Sequence, residues 1–128
     1  MGALSDYSEA QVINHMLRNQ AYTPPATVYL ALYTTTPDDT GGGVEVSGGA
    51  YARQACALDA ATVGVTANTS DITFPTATAN WGTIVAVGLF DAVTAGNLLW
   101  WGALTVNKTV NNGDVFKVLL GDLDLTLD

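Results

Sequence analysis

The sequence predicts a mainly β protein: an antiparallel β-sandwich of about seven strands with one N-terminal α-helix, in a single domain over residues 1–128. Three observations carry this. Short runs rich in Val, Ile, Leu, Tyr and Trp recur after residue 27, and Gly-, Asn- or Pro-containing breaks part them about every ten residues. The helical pattern is confined to the first residues, as an arm over about 5–19. No strand–helix–strand spacing follows, which argues against a parallel α/β sheet. A chain of this length buries roughly 70% of the surface it exposes when unfolded, enough for a real core.

In the helical arm, Ser5 or Asp6 is placed to cap, and Asp6 and Glu9 suit the positive end of the helix dipole. Tyr7, Ala10, Ile13 and Leu17 recur at spacings of three and four, which predicts an apolar stripe. His15 lies off that stripe, and Arg18 stands near the C-terminal end, where a cation is favoured. Pro24-Pro25 forbids further helix.

Val28-Tyr29-Leu30-Ala31-Leu32-Tyr33 is apolar on both faces, as a central strand must be. Loops are predicted at 37–43 and 47–49, with strands over 51–58 and, briefly, 71–75. Residues 60–70 read as weak, small-residue β or loop. Residues 83–90 and 98–105, parted by a Gly/Asn turn, predict an antiparallel hairpin. Asn111-Asn112-Gly113-Asp114 is the strongest turn signal, leading into a strand over 115–120. In the last segment Leu123, Leu125 and Leu127 alternate with Asp122, Asp124 and Thr126, which predicts leucines inward.

Charged residues make up only 12% of the chain against 48% hydrophobic. So neutral a surface hints at coverage by other subunits. The net charge is −8, with Arg18, Arg53, Lys108 and Lys117 as the only cations, too few to neutralise many phosphates. Neither nucleic acid nor an anionic membrane is therefore an expected partner. The first residues lack the basic end and apolar run of a secretory leader, and Cys56 is alone, so synthesis in the cytoplasm is expected.

Catalytic equipment is thin, and no enzymatic activity is expected. A Cys56 nucleophile would need His15, the single histidine, as its base. Gly41-Gly42-Gly43 lacks the lysine and helix of a phosphate loop, and one Cys with one His cannot make a zinc site. Asp122 and Asp124, with Asp128, could meet a hard cation, but a solvated strand face is the favoured reading. No metal or cofactor is expected. The tryptophans say more. Trp100 and Trp101 are adjacent in a strand and must point to opposite faces, so one fills the core while the other faces out. An outward tryptophan anchors an interface or stacks on a carbohydrate. Trp100, Trp101, Tyr7 and Arg18 are the candidate interface residues.

Several motifs combine across nearly the whole chain. They are Leu4-Ser5-Asp6-Tyr7-x-Glu9, Tyr22-Thr23-Pro24-Pro25 with the following strand, and Glu45-Val46-Ser47-Gly48-Gly49. Further on come Asn80-Trp81-Gly82-Thr83, Gly88-Leu89-Phe90-Asp91-Ala92, Gly96-Asn97-Leu98-Leu99 and Asn112-Gly113-Asp114. In combination they resemble a family of short tailed-phage virion proteins usually labelled tail fibre proteins. The resemblance implies a structural protein of the particle exterior, with the major capsid protein or tail proteins as partners, and it transfers no catalytic residue. The chain shows neither coiled coil nor repeat, which favours a capsid-decorating (cement) subunit, a homo-oligomer expected to be a trimer. A tail fibre or fibre-attachment component, with receptor or glycan binding, is the alternative.

Overall fold

Ser5 caps the helix as the sequence requires: its Oγ accepts from the Ser8 N–H at 3.2 Å. A computed structural model describes residues 2–127. Among them are one helix, α1 (Asp6–Leu17), and ten strands: β1 (Ala3–Leu4), β2 (Val28–Thr35), β3 (Val44–Glu45), β4 (Gln54–Cys56), β5 (Val65–Ala67), β6 (Ile72–Thr73), β7 (Gly82–Phe90), β8 (Leu98–Val110), β9 (Lys117–Val118) and β10 (Asp124–Thr126). All pairings are antiparallel. The mainly β, antiparallel class with one N-terminal helix is the one the pattern predicts.

The large sheet runs β1-β8-β7-β2-β3, with β4 also on β2. β2 is an interior strand, between β7 and the edge formed by β3 and β4, and residues Leu30, Ala31, Leu32 and Tyr33 are buried. Its outer edge is shared: β4 takes Val28, Tyr29 and Leu30, and β3 takes Tyr33 and Thr35. The strand predicted over 51–58 therefore shrinks to three residues, because only half an edge is left for it. The predicted strand at 115–120 likewise shrinks to β9, whose partner β6 is two residues long. The count rises from about seven to ten through three short strands, β1, β3 and β5, in segments where no strand or only weak β was expected.

Two small sheets, β5–β10 and β6–β9, supply Ile72, Leu125 and neighbours to a cluster that also holds Leu30, Leu32, Ile84, Val87, Leu89 and Trp100 of the large sheet. Phe74 stands in it at right angles to Phe116 and edge-on to Trp81. A second, smaller cluster of Ala31, Tyr33, Ala86, Phe90 and Leu98 occupies the opposite face, with Trp101 against it.

Strict alternation would put Leu98 and Trp100 on one face. The register shift between Leu89 and Phe90 prevents this: Leu89 pairs with Trp100 and Phe90 with Leu98, leaving Leu99 as the extra residue. The bulge sends Leu98 to the small cluster and Trp100 to the large one. The large cluster is closed over Trp100 by glycines. A Cβ on Gly2 or Gly102 would stand 2.1 or 2.7 Å from its ring.

Two local expectations are corrected. The stripe of Tyr7, Ala10, Ile13 and Leu17 is not the docked face of α1, since Ile13 is 51% and Leu17 79% exposed. Instead Ser5 bonds Leu98 O through Oγ and Leu99 O through its own N–H, and buried Ser8 follows one turn later. Small polar residues let the helix start lie close against β8, and this anchoring turns the stripe outward. At the other end Leu123 and Leu125 are buried but Leu127 is exposed, because β10 stops at Thr126.

Candidate functional site

Three segments meet where α1 begins: its first turn, the loop between β2 and β3, and the loop between β7 and β8. Between them lies a cleft of about 460 Å³, lined by Asp6, Tyr7, Asp39, Thr40, Phe90 and Asn97 among others. Each wall is fixed by its own hydrogen bonds. In the β2–β3 loop, Asp38 Oδ1 accepts from Thr40 N, Thr40 Oγ1 and Gly42 N, a local ring that aspartate forms readily in turns. The Thr40 hydroxyl and Gly42 amide hold the Asp38 carboxyl below its ordinary range. Asp39 O accepts from Asp6 N at 2.9 Å, tying this loop to the helix, and Asp39 Oδ1 accepts from Trp101 Nε1 at 2.9 Å.

In the β7–β8 loop, Asp91 accepts from the Asn97 backbone N–H at 2.7 Å and from Asn97 Nδ2 at 2.9 Å. Burial pushes the Asp91 carboxyl up, but the Asn97 bonds and Arg53 outweigh it, so its pKa lies low. Gly96, at φ 75°, has no room for a Cβ, which would stand 2.5 Å from Asp91 Oδ1.

Arg53 holds the same loop from the other side. Its Nη1 donates to Ala92 O and Ala95 O at 3.0 and 2.8 Å, and its guanidinium lies 3.6 Å over the Phe90 ring. Nε and Nη2 donate to the two oxygens of Glu45 at 2.9 and 2.8 Å, a bidentate pair. Tyr51 Oη donates to Glu45 Oε2 at 2.7 Å and accepts from Leu32 N. Burial, then the Glu45 carboxylate, pushes the neighbouring Tyr33 phenol up to about 12.

The four candidate interface residues separate. Tyr7 lines the cleft, and Trp101, half-buried, braces Asp39 beneath it. Trp100 is buried in the core, where its Nε1 has no hydrogen-bond partner, so it has no ring face to offer outside. Arg18 is exposed at the end of α1 and donates to Asn14 Oδ1 at 2.7 Å, away from the cleft lining. Sequence reasoning missed Asp39 and Asn97 as site residues and Glu45–Arg53 as their support. The turn signals around Asp38 and Gly96 were legible; their convergence was not.

Cys56 and His15 are not brought together. Cys56 is buried on β4, and burial alone pushes its thiol up to about 11. His15 is exposed on the last turn of α1, with Nδ1 3.1 Å from Gln20 O. At pH 8 roughly one thiol in a thousand would be ionised, so Ellman's reagent is expected to leave the folded protein unmodified and to titrate Cys56 fully in guanidinium. Fast reaction of the folded protein would contradict this placement. Asp122 lies in a turn before β10, not on a strand face with Asp124, and Asp128 is outside the described residues. Among the described residues no group of three His, Cys, Asp or Glu is placed to hold a metal ion.

No curated protein matches the chain. A family model described as "Podophage GP4 fiber I protein gp80" matches residues 3–126, which spans both clusters, the helix and all three walls of the cleft. With nearly its whole length matched, the chain belongs to the podophage GP4 fibre I protein family, and it is a phage virion structural protein of mainly β architecture.

Proposed function

We propose that the protein is a non-enzymatic fibre or fibre-attachment subunit on the exterior of a podophage, built into a symmetric homo-oligomer, a trimer by preference. The observation that carries the fibre assignment is the family match over residues 3–126. It supports the fibre alternative better than the capsid-decorating reading that the compact size of the chain favours. The outward face of α1 supports association with other virion proteins: Val12, Ile13, Met16 and Leu17 are all exposed, Met16 at 72%. Such a run of apolar side chains on one short helix marks a contact surface more often than a solvent face.

Quantitative mass spectrometry of purified particles tests the location. A fibre component is expected at on the order of tens of copies or fewer, whereas a lattice-decorating subunit would reach hundreds; hundreds would overturn the fibre reading. Replacing Leu17 by Asp is expected to change the stability of the isolated chain by less than about 0.5 kcal/mol, as exposed sites do. The same variant should be depleted from particles, which immunoblotting of a complemented phage stock reads directly. Normal incorporation would remove α1 as the contact.

A further inference from the structure

The hairpin tip at Val63-Gly64 is strained without gain inside the chain. Thr62 N–H donates to Val65 O at 2.9 Å and Val65 N–H to Thr62 O at 3.0 Å. The tip is therefore two residues, and both have positive φ, 52° at Val63 and 74° at Gly64. Such a turn favours Asn, Asp or Gly at its first position, and a β-branched residue there is a genuine outlier. Gly64 is fixed by Leu127, whose N–H donates to its carbonyl and whose own carbonyl leaves no room for a Cβ. Val63 has no such tie, being 96% exposed. Strain of this kind persists at positions where the side chain is used, and Val63 is not used within the chain.

The tip borders a continuous apolar surface. Leu4 stands between two grooves, of about 250 and 210 Å³, the first running past Val12, Met16 and Leu99 and the second past Val65, Trp100 and Leu127. Among the described residues thirteen large apolar side chains are exposed. Seven of them line these grooves or adjoin a residue that does: the four of α1, Val63, Val65 and Leu127. Their open area, on the order of 800 Å², equals the share each partner gives to a standard interface and exceeds the patch a monomer usually leaves open. No Asp, Glu, Lys or Arg lines either groove, although the chain carries a net charge of −8. A basic partner would be met by carboxylates; a second copy, itself acidic, can approach only where they are absent. We propose that copies of this chain meet across this surface and that a neighbouring copy buries Val63. The inference rests on the homo-oligomer reading above and assigns its contact.

Sedimentation velocity of the full chain, from about 1 to 200 µM, tests it. The wild type is expected to associate within that range. Val63→Asn and Met16→Glu should each raise the concentration of half-assembly about tenfold or more. Val93→Asn, beside Arg53 at the β3 edge of the large sheet, is the control and should leave that concentration unchanged. With the chain kept monomeric by Leu17→Asp, adding Val63→Asn should raise Tm by about 3 °C, because asparagine relieves the turn. A side chain needed for the fold would lower Tm instead, and that result would overturn the proposal. So would equal weakening by Val93→Asn. An oligomer that Val63→Asn leaves intact overturns this assignment while the homo-oligomer reading stands; a chain still monomeric at the highest concentration overturns both. None of these results bears on copy number in the particle, so the fibre assignment fails separately.

Discussion

Replacing Glu45 by alanine is expected to lower the stability of the protein by about 3 kcal/mol, the usual scale for removing one partner of a largely buried ion pair. The Arg53 side chain is 8% exposed and that of Glu45 25%, so the guanidinium cannot turn to water when its partner is lost. Three polar atoms change state at once. Arg53 Nε and Nη2 lose charge-assisted acceptors, and Tyr51 Oη loses the oxygen to which it donates. In a chain of this size the loss corresponds to a fall in Tm of roughly 10 °C. Glu45→Gln keeps the volume and one oxygen for the Tyr51 hydroxyl, and should lose about half as much. Thermal and urea unfolding of the two variants gives both numbers. A loss under about 1 kcal/mol for the alanine would show that the pair acts as an ordinary surface salt bridge. Because Arg53 also grips Ala92 O and Ala95 O, the same variant should broaden the resonances of residues 91–97.

Asn68 is expected to be the second costly position. It is 1% exposed, and its side chain joins three stretches: Nδ2 donates to Ser70 O and Leu119 O at 2.8 and 2.9 Å, and Oδ1 accepts from Leu123 N at 2.9 Å. Its backbone continues the same seam, donating to Leu123 O and accepting from Gly121 N. Asn68→Leu has similar bulk but leaves the Leu123 N–H and the Ser70 carbonyl without their partner, at about 1–3 kcal/mol for each group that water cannot reach, and takes from Leu119 O one of two donors, the other being Asp122 N. A total loss of about 3–4 kcal/mol is expected, measured by urea unfolding. Hydrogen exchange should locate it, through early loss of protection at Leu123 and at the β5–β10 pair. Asn68→Asp keeps the shape but sets a buried carboxylate against two carbonyls. Its charged form is disfavoured, so the carboxyl pKa rises in the folded state. That variant should be least stable at neutral pH and should recover part of its loss as the pH falls and the carboxyl is protonated. A variant insensitive to pH between about 4 and 8 would mean that water reaches the site.

Much of the fold is written in local pattern. The Ser5 cap, the end of the helix before Pro24-Pro25, the interior strand at Val28–Thr35, the β7–β8 hairpin and the Asn-Gly turn depend on neighbours a few residues away. Such neighbours are visible in any reading of the chain. The opposite orientation of Trp100 and Trp101 follows from the period of two, and that also was legible. Which of the pair is inside was not. The bulge at Leu99 and the glycines at 2 and 102 settle it, and neither has a local signature.

The candidate site was less legible than the fold for the same reason. Asp39, Asn97 and Tyr7 are each unremarkable in sequence, lying in two loops and a helix start. They become one lining only because Asp6 N bonds Asp39 O and because Trp101, more than sixty residues away, holds the Asp39 carboxylate. The outward turn of the α1 stripe was likewise decided by Ser5 and Ser8 against β8, since amphipathic spacing names a stripe but not the side on which the body lies. By itself the sequence determined the mainly β class, the single N-terminal helix and the poverty of catalytic groups, because composition and short periodicity fix these. Only the tertiary structure decided the division of strands into one large and two small sheets, the Glu45–Arg53 support and the cleft. Each of these rests on contacts between distant segments, and their register depends on bulges and shared edges that no local pattern encodes.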